Sequence, residues 1–405
     1  MFSLRTVLAT LLSLAVLAPF TLSAAVIDGL FRVEQPQEEG VSRDETLRQA
    51  VEAVFARVGG AKLNMKSGVV GDALKDPRDL VRRITGRDGV MVVEFEPSAV
   101  RSVMVRGGLP MLGRSRPGML VWAVEARTLG DELIGAGSTW GDHLKTAAGY
   151  RGVALSFPMG DLEDRGRVNE ETVRGGKREE LLEASERYAS EGVLAIAFTV
   201  NGENTRADWN MWLNDQVYSG RSTGDAPETV VDQIMKEVAA AAFEQYAVPA
   251  VAADDLTRWT LVVKDVNSVD DYARLQSMLQ QLGGQSTPQM LSVDMDKVTV
   301  RVDFPGSESQ LERMLGLDQR LVRIPAPEPE PIEQEPVMLP DPVDQASAET
   351  APMDEQGVPD VNEARSSETG PADAGGESTD EYPAPETVPP EPVEPDPNTL
   401  YYRWR

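Results

Sequence analysis

The acidic run Asp161-Leu-Glu163-Asp164, directly after Phe157-Pro-Met-Gly160, is the part of the chain best equipped for chemistry. Carboxylates this close together can hold a hard cation such as Ca²⁺ or Mg²⁺, or divide the roles of general acid and general base. The run lacks the Asp-x-Asp-x-Asp-Gly spacing of a calcium loop, and Arg165 and Arg167 stand ready to neutralise it. Its plainest role is structural, as a cap or ion-pair cluster. Partner binding comes second, and metal or acid–base catalysis third. The chain has a single histidine, His143, near the start of an expected helix, and no cysteine. Zinc sites built from several nitrogen or sulfur ligands are therefore not expected. Gly-x-Ser-x-Gly, a Walker A loop and Gly-x-Gly-x-x-Gly do not occur. These residues imply no catalytic group, metal or cofactor.

Aromatic residues supply the remaining candidates. Trp122 alternates with apolar neighbours, as core residues of a strand do. Trp209 and Trp212 are three apart, so on a strand they face opposite sides: one in the core, the other exposed or at an interface. An exposed tryptophan could grip a glycan or a peptide. The C-terminal Leu400-Tyr-Tyr-Arg-Trp-Arg405 alternates aromatic and basic residues, which makes Tyr401, Tyr402 and Trp404 a docking strand. Its nearest target is an edge of the protein's own sheet; strand addition to a partner is the alternative.

The elements that must position these residues follow from periodicity and caps. Ser42 and Glu45 form a capping-box pattern ahead of Leu47, Val51, Val54, Phe55 and Val58, and Gly59-Gly60 ends that helix. Helices are expected near 77–85 and 98–106, with a strand at 89–95 between them. A strand over 119–125, a helix over 138–149 and a strand over 153–157 come next. They are followed by a helix over 178–190 and a strand over 193–200. Strands over 207–213 and 217–221 read as a hairpin turned by Asn214-Asp215, and 227–246 as a long amphipathic helix. Together these predict a mixed-sheet α/β domain over residues 26–250. Residues 251–324 repeat the order βαββαβ, the ferredoxin-like split motif, which hosts many functions and names none. The fold class is thus α+β.

Residues 1–25 read as a secretory signal peptide: Arg5, an apolar run over 7–20, then Ser23-Ala-Ala25, with cleavage after Ala24 or Ala25. The run is about 14 residues, short of the roughly 20 that span a bilayer. Without cysteine, lipoprotein acylation and disulfides are excluded. A soluble periplasmic protein with no membrane span after cleavage is expected. The net charge of −27 argues against a nucleic-acid partner. Much of that charge sits in residues 325–405, which hold 20 Asp or Glu against 3 Arg, and 17 of the 28 prolines. Residues 325–398 therefore read as a disordered acidic, proline-rich tail ahead of the terminal strand or docking motif, 399–405.

At this point several segments carry a family likeness. The body resembles bacterial exported proteins of domain-of-unknown-function family 2066. The likeness rests on Ala53-Val-Phe-Ala-Arg-Val-Gly-Gly60, Gly118-Met-Leu-Val-Trp-Ala123, Phe157-Pro-Met-Gly-Asp-Leu-Glu-Asp164, Ala184-Ser-Glu-Arg-Tyr-Ala-Ser-Glu-Gly-Val-Leu-Ala195 and the Trp209 region. Family members have an apolar residue where this chain has Gly160. The family has no established activity, so the resemblance implies an envelope protein and no catalytic residues.

These readings converge on a non-enzymatic periplasmic protein, an envelope adaptor or assembly module that holds a cell-envelope protein partner. Asp161, Glu163, Asp164, Trp209, Trp212, Tyr401, Tyr402 and Trp404 are the candidate contacts. The alternatives are a metal-dependent or hydrolytic enzyme at the Asp161 loop and an envelope glycan binder. An open sheet edge or apolar patch would favour the adaptor, and a convergent pocket of titratable groups the enzyme.

Overall fold

The computed structural model describes residues 27, 29–66, 68–128, 130–249, 256–280, 282, 288–327 and 397–405. The expected signal peptide and nearly all of the acidic tail lie outside these residues. Helices and mixed sheets give an α+β protein, as the periodicity predicts. None of the described helices is long and apolar enough to cross a membrane.

The first sheet is small. Strands β1 (Arg32–Pro36), β2 (Val81–Arg87) and β3 (Val90–Phe95) pair antiparallel in the order β1-β3-β2. Helices α1 (Arg43–Gly59), α2 (Gly68–Lys75) and α3 (Pro97–Arg106) close a core around Phe55, Val93, Phe95 and Met104. The capping box ahead of α1 is half realised: Ser42 Oγ accepts from the Glu45 amide, while the Glu45 side chain pairs with Arg48. The helix expected at 77–85 is absent. Pro77–Leu80 makes one 3-10 turn and the chain then extends as β2. β-Branched Val81, Ile84 and Thr85 suit a strand, and a tight turn at Asp88-Gly89, both in the left-handed region, folds β2 back onto β3.

A second, larger sheet follows, so residues 26–250 hold two sheets with separate cores rather than one mixed sheet. Hydrophobic periodicity marks strands but does not say which of them pair. Strands β4 (Gly118–Arg127), β5 (Gly130–Leu133), β6 (Ala154–Ser156), β7 (Gly192–Asn201), β8 (Asn204–Leu213) and β9 (Gln216–Gly224) run in the order β5-β4-β7-β8-β9. β4 and β7 are parallel, and β6 pairs in parallel with the start of β4. α4 (Thr139–Arg151) and α8 (Pro227–Tyr246) cover one face. The short helices α5 (Leu162–Arg167), α6 (Glu170–Arg174) and α7 (Arg178–Ser185) cover the other. With both faces covered, β4 and β7 read as the near-continuous apolar runs of buried parallel strands.

Two buried arginines join the first sheet's helices to this layer. Arg116 donates to the carbonyls of Arg57 (2.6 Å) and Gly152 (2.9 Å), the ends of α1 and α4. Arg57 in turn donates to the carbonyls of Tyr150 and Arg32, each at 2.7 Å. Burial lowers Arg57 to about 10 and Arg116 to about 9, the latter helped by the neighbouring Arg57 charge, and both stay charged at neutral pH. Gly60, left-handed after α1, faces Phe243 of α8 so closely that a Cβ would stand 2.9 Å from its ring.

The third sheet contains the surprise of the topology. Strands β10 (Thr257–Lys264), β11 (Gln289–Asp294), β12 (Lys297–Phe304) and β13 (Leu321–Arg323), with helices α9 (Val269–Gln280) and α10 (Glu308–Gly316), follow the expected βαββαβ order. The C-terminal strand β14 (Thr399–Trp404) then enters between β10 and β13, giving β11-β12-β10-β14-β13. It runs parallel to β10 and antiparallel to β13. Self-docking thus holds, but in the sheet's interior and not at its edge. Leu400, Tyr402 and Trp404 share one core with β10, β12 and α8. One free edge is β11, whose six residues are all exposed, among them Met290, Leu291 and Val293.

Candidate functional site

The Phe157–Asp164 segment leaves β6 and turns into α5. Gly160 adopts φ +69°, a left-handed conformation that disfavours other residues. Asp161 caps α5: its Oδ1 accepts from the Asp164 amide at 2.9 Å. Asp164 is 2% exposed, and its Oδ2 accepts from the Gly160 amide at 2.7 Å and from the Tyr188 hydroxyl at 2.6 Å. The same hydroxyl accepts from the Met159 amide at 2.9 Å.

Arg187 clamps the cluster from the segment that follows α7. It meets Asp161 through two bonds, 3.0 and 2.9 Å, and reaches Asp164 and Glu163 at 3.3 Å each. Arg187's hydrogen bond pulls the Asp161 carboxyl below its ordinary value, and the Asp161 partnership pushes the Arg187 guanidinium up. Burial, reinforced by the bond to Asp164, drives the Tyr188 phenol up to about 12. Trp122 closes the base: its ring meets Tyr188 edge-on at 6.5 Å and its indole N–H donates to Ser185 Oγ at 3.0 Å.

These carboxylates are therefore occupied as caps and ion-pair partners. No group of three or more metal-ligating side chains occurs among the described residues. Beside the exposed Asp161 and Glu163, the clamped segment also turns two large apolar side chains outward: Met159 is 64% exposed and Leu162 89%. Beside it lies a cavity of about 540 Å³ walled by Trp122, Leu133, Ile134, Phe157, Pro158 and Met159. The outer edge of β4 pairs with β6 over Gly118–Leu120 and with β5 over Val124–Arg127, and the Ala123 carbonyl between them accepts from the Ile134 amide at 2.8 Å. Trp122 and Ala123, between those pairings, line the cavity.

The other candidates do not join this site. Trp209 and Trp212 face opposite sides of β8, as their spacing requires, but both are buried, at 7% and 4% exposed. Neither offers a surface to a partner or glycan, because helices cover both faces of this sheet. Tyr402 and Trp404 are core residues of the third sheet, and Tyr401 on the alternate face is half-buried. His143 sits on α4, 3.4 Å from Glu228 and edge-on to Trp140.

Sequence reasoning missed Arg187, Tyr188, Met159 and Leu162. No local pattern connects 159–164 with 187–188. Yet Gly118–Ala123, Phe157–Asp164 and Ala184–Ala195 converge here.

Comparison with protein-family models gives no match. Comparison with curated proteins gives none either. Among solved structures, the Thermus thermophilus Protein Y N-terminal domain aligns over 31% of this chain and 93% of its own, at 7% identity and a TM-score of 0.16. A superposition that poor carries no argument about fold or function.

Proposed function

We propose that this protein is an exported, non-enzymatic component of the bacterial envelope that holds a protein partner through the Met159–Leu162 segment. One observation carries the reading: a segment fixed by Arg187, Tyr188 and Asp164 presents two large apolar side chains to solvent beside a cavity lined by Trp122, Leu133 and Phe157 together with Asp164 and Arg165. Exposing such groups costs solubility and is expected where another surface covers them. The leader-like N-terminus and the resemblance to family 2066 support an exported compartment. The occupied state of Asp161, Glu163 and Asp164 favours binding over acid–base chemistry, since a general base needs a free lone pair facing its substrate. The exposed apolar edge β11 is a second surface of the kind that strand addition uses.

The test is site-specific photo-crosslinking in cells, with the crosslinker at position 159, 162 or 293. The expected result is one discrete adduct from 159 and 162 that disappears when the neighbouring apolar residue becomes Asp in a protein of unchanged circular dichroism. Adducts from 293 alone would move the interface to β11. No adduct from any position would overturn the binding reading.

A further inference from the structure

A second cavity, of about 360 Å³, lies where α1 meets α4 and α8, and it shares no residue with the Met159 segment. Its walls differ in charge. From the first sheet's side come Glu38 and Glu52, and from α8 comes Lys236. All three are exposed, and none of their side chains has an ion-pair or hydrogen-bond partner among the described residues. The two guanidiniums that also line the cavity are already used. Arg57 serves backbone carbonyls, and Arg151 is held by Asp232 through Nε at 2.7 Å and Nη2 at 2.5 Å. Gln35 donates to Gln49 at 3.2 Å, which leaves its own amide oxygen buried with no partner among the described residues. Between the polar walls the lining is apolar: Ala53, Ala56, Met65 and Phe243.

We propose that this cavity binds a zwitterionic ligand with an apolar body, a short peptide of two or three residues with a free amino and a free carboxyl end. The unpaired carboxylates of Glu38 and Glu52 receive the ammonium, and the Lys236 ammonium receives the carboxylate. Phe243 and Met65 take the apolar side chain. The volume is at the lower end of the range of about 300–1,000 Å³ typical of small-molecule sites, which sets the ligand's size. Both charged walls are needed: a simple anion would meet two unpaired carboxylates, and a simple cation would meet Lys236.

Titration calorimetry on the full chain tests this with Ala-Phe, its N-acetyl derivative and its C-terminal amide as probes. Saturable binding of Ala-Phe is expected, with each blocked derivative about tenfold weaker or worse, as for loss of one charge-assisted contact. Lys236→Met should weaken Ala-Phe but not the amide, and Glu52→Gln should weaken Ala-Phe but not the acetyl derivative. This crossed pattern cannot come from misfolding, because each variant keeps one probe unaffected. Absence of saturable heat, or equal loss on all probes, would overturn the proposal. So would a fall in thermal stability of ligand-free Lys236→Met that Glu52→Gln reproduces, because the two groups would then pair with each other across the cleft.

Discussion

The Tyr188 hydroxyl donates to Asp164 Oδ2 at 2.6 Å while accepting from the Met159 amide, so one phenol ties a buried carboxylate to the segment that displays Met159. Asp164 also holds Gly160, and its helix is capped by Asp161, which Arg187 grips. The acidic run is thus scaffold for a segment that holds Met159 and Leu162 out to solvent.

Removing that phenol should loosen the display without unfolding the protein. Tyr188→Phe deletes a hydrogen bond to a charged group, a loss of about 1.5–3 kcal/mol. Denaturant unfolding should register the fall, and the Met159 amide should exchange with solvent faster. An unchanged exchange rate at Met159 would show that the phenol does not hold the segment.

The same bond gives a pH signature. Burial first, and then the hydrogen bond to Asp164, raise the Tyr188 phenol from 10.0 to about 12. A group whose folded value is raised contributes stability that is complete below its unfolded value and is lost as pH climbs through the folded one. The wild type's advantage over Tyr188→Phe should therefore hold at neutral pH and shrink between about pH 10 and 12. Unfolding of both proteins across that range measures it; an advantage that stays constant would contradict the assignment.

Much of this architecture was legible residue by residue. The helix 227–246 follows from one stripe of Val231, Ile234, Val238 and Tyr246, and the β8–β9 hairpin from Asn214-Asp215, where Asn214 takes φ 51°. Pairing was not legible. Local pattern could not show that β1–β3 form their own sheet, nor that Trp212 would be covered by α5–α7, whose short helices have little periodicity of their own. For the site, the acidic run was visible but its use was not. Whether a carboxylate is a base or a cap depends on Arg187 and Tyr188, more than twenty residues away in sequence.

Arg116 should prove costly to replace. Its guanidinium satisfies the carbonyls of Arg57, Leu112, Gly113 and Gly152, two of them at helix ends. Arg116→Met removes a buried charge, which favours folding, but leaves these acceptors without their donor at about 1–3 kcal/mol each. A net loss of roughly 2–4 kcal/mol is expected from the balance. Arg116→Lys should recover only part of it, because an ammonium cannot span carbonyls from both α1 and α4. Equal stability of Arg116→Met and wild type in a thermal melt would refute the bridging role.

The C-terminal strand makes the sharpest claim about folding. β14 lies between β10 and β13, so truncation after Asn398 should strip both of a hydrogen-bonding neighbour and remove Leu400, Tyr402 and Trp404 from the core. Leu400→Ala alone should cost about 2–5 kcal/mol. The chain leaves the sheet after β13 and re-enters it at Thr399, and a long sequence separation between paired strands adds only about 0.6 kcal/mol of closure entropy per doubling of length. Hydrogen exchange should show the β10 amides from Thr260 to Lys264 losing protection in the truncated protein. Added peptide with the sequence of residues 397–405 should restore that protection, since it supplies the missing strand without the loop. Continued protection of β10 after truncation would mean that the sheet closes without β14 and that the strand's interior position is not what holds this module together.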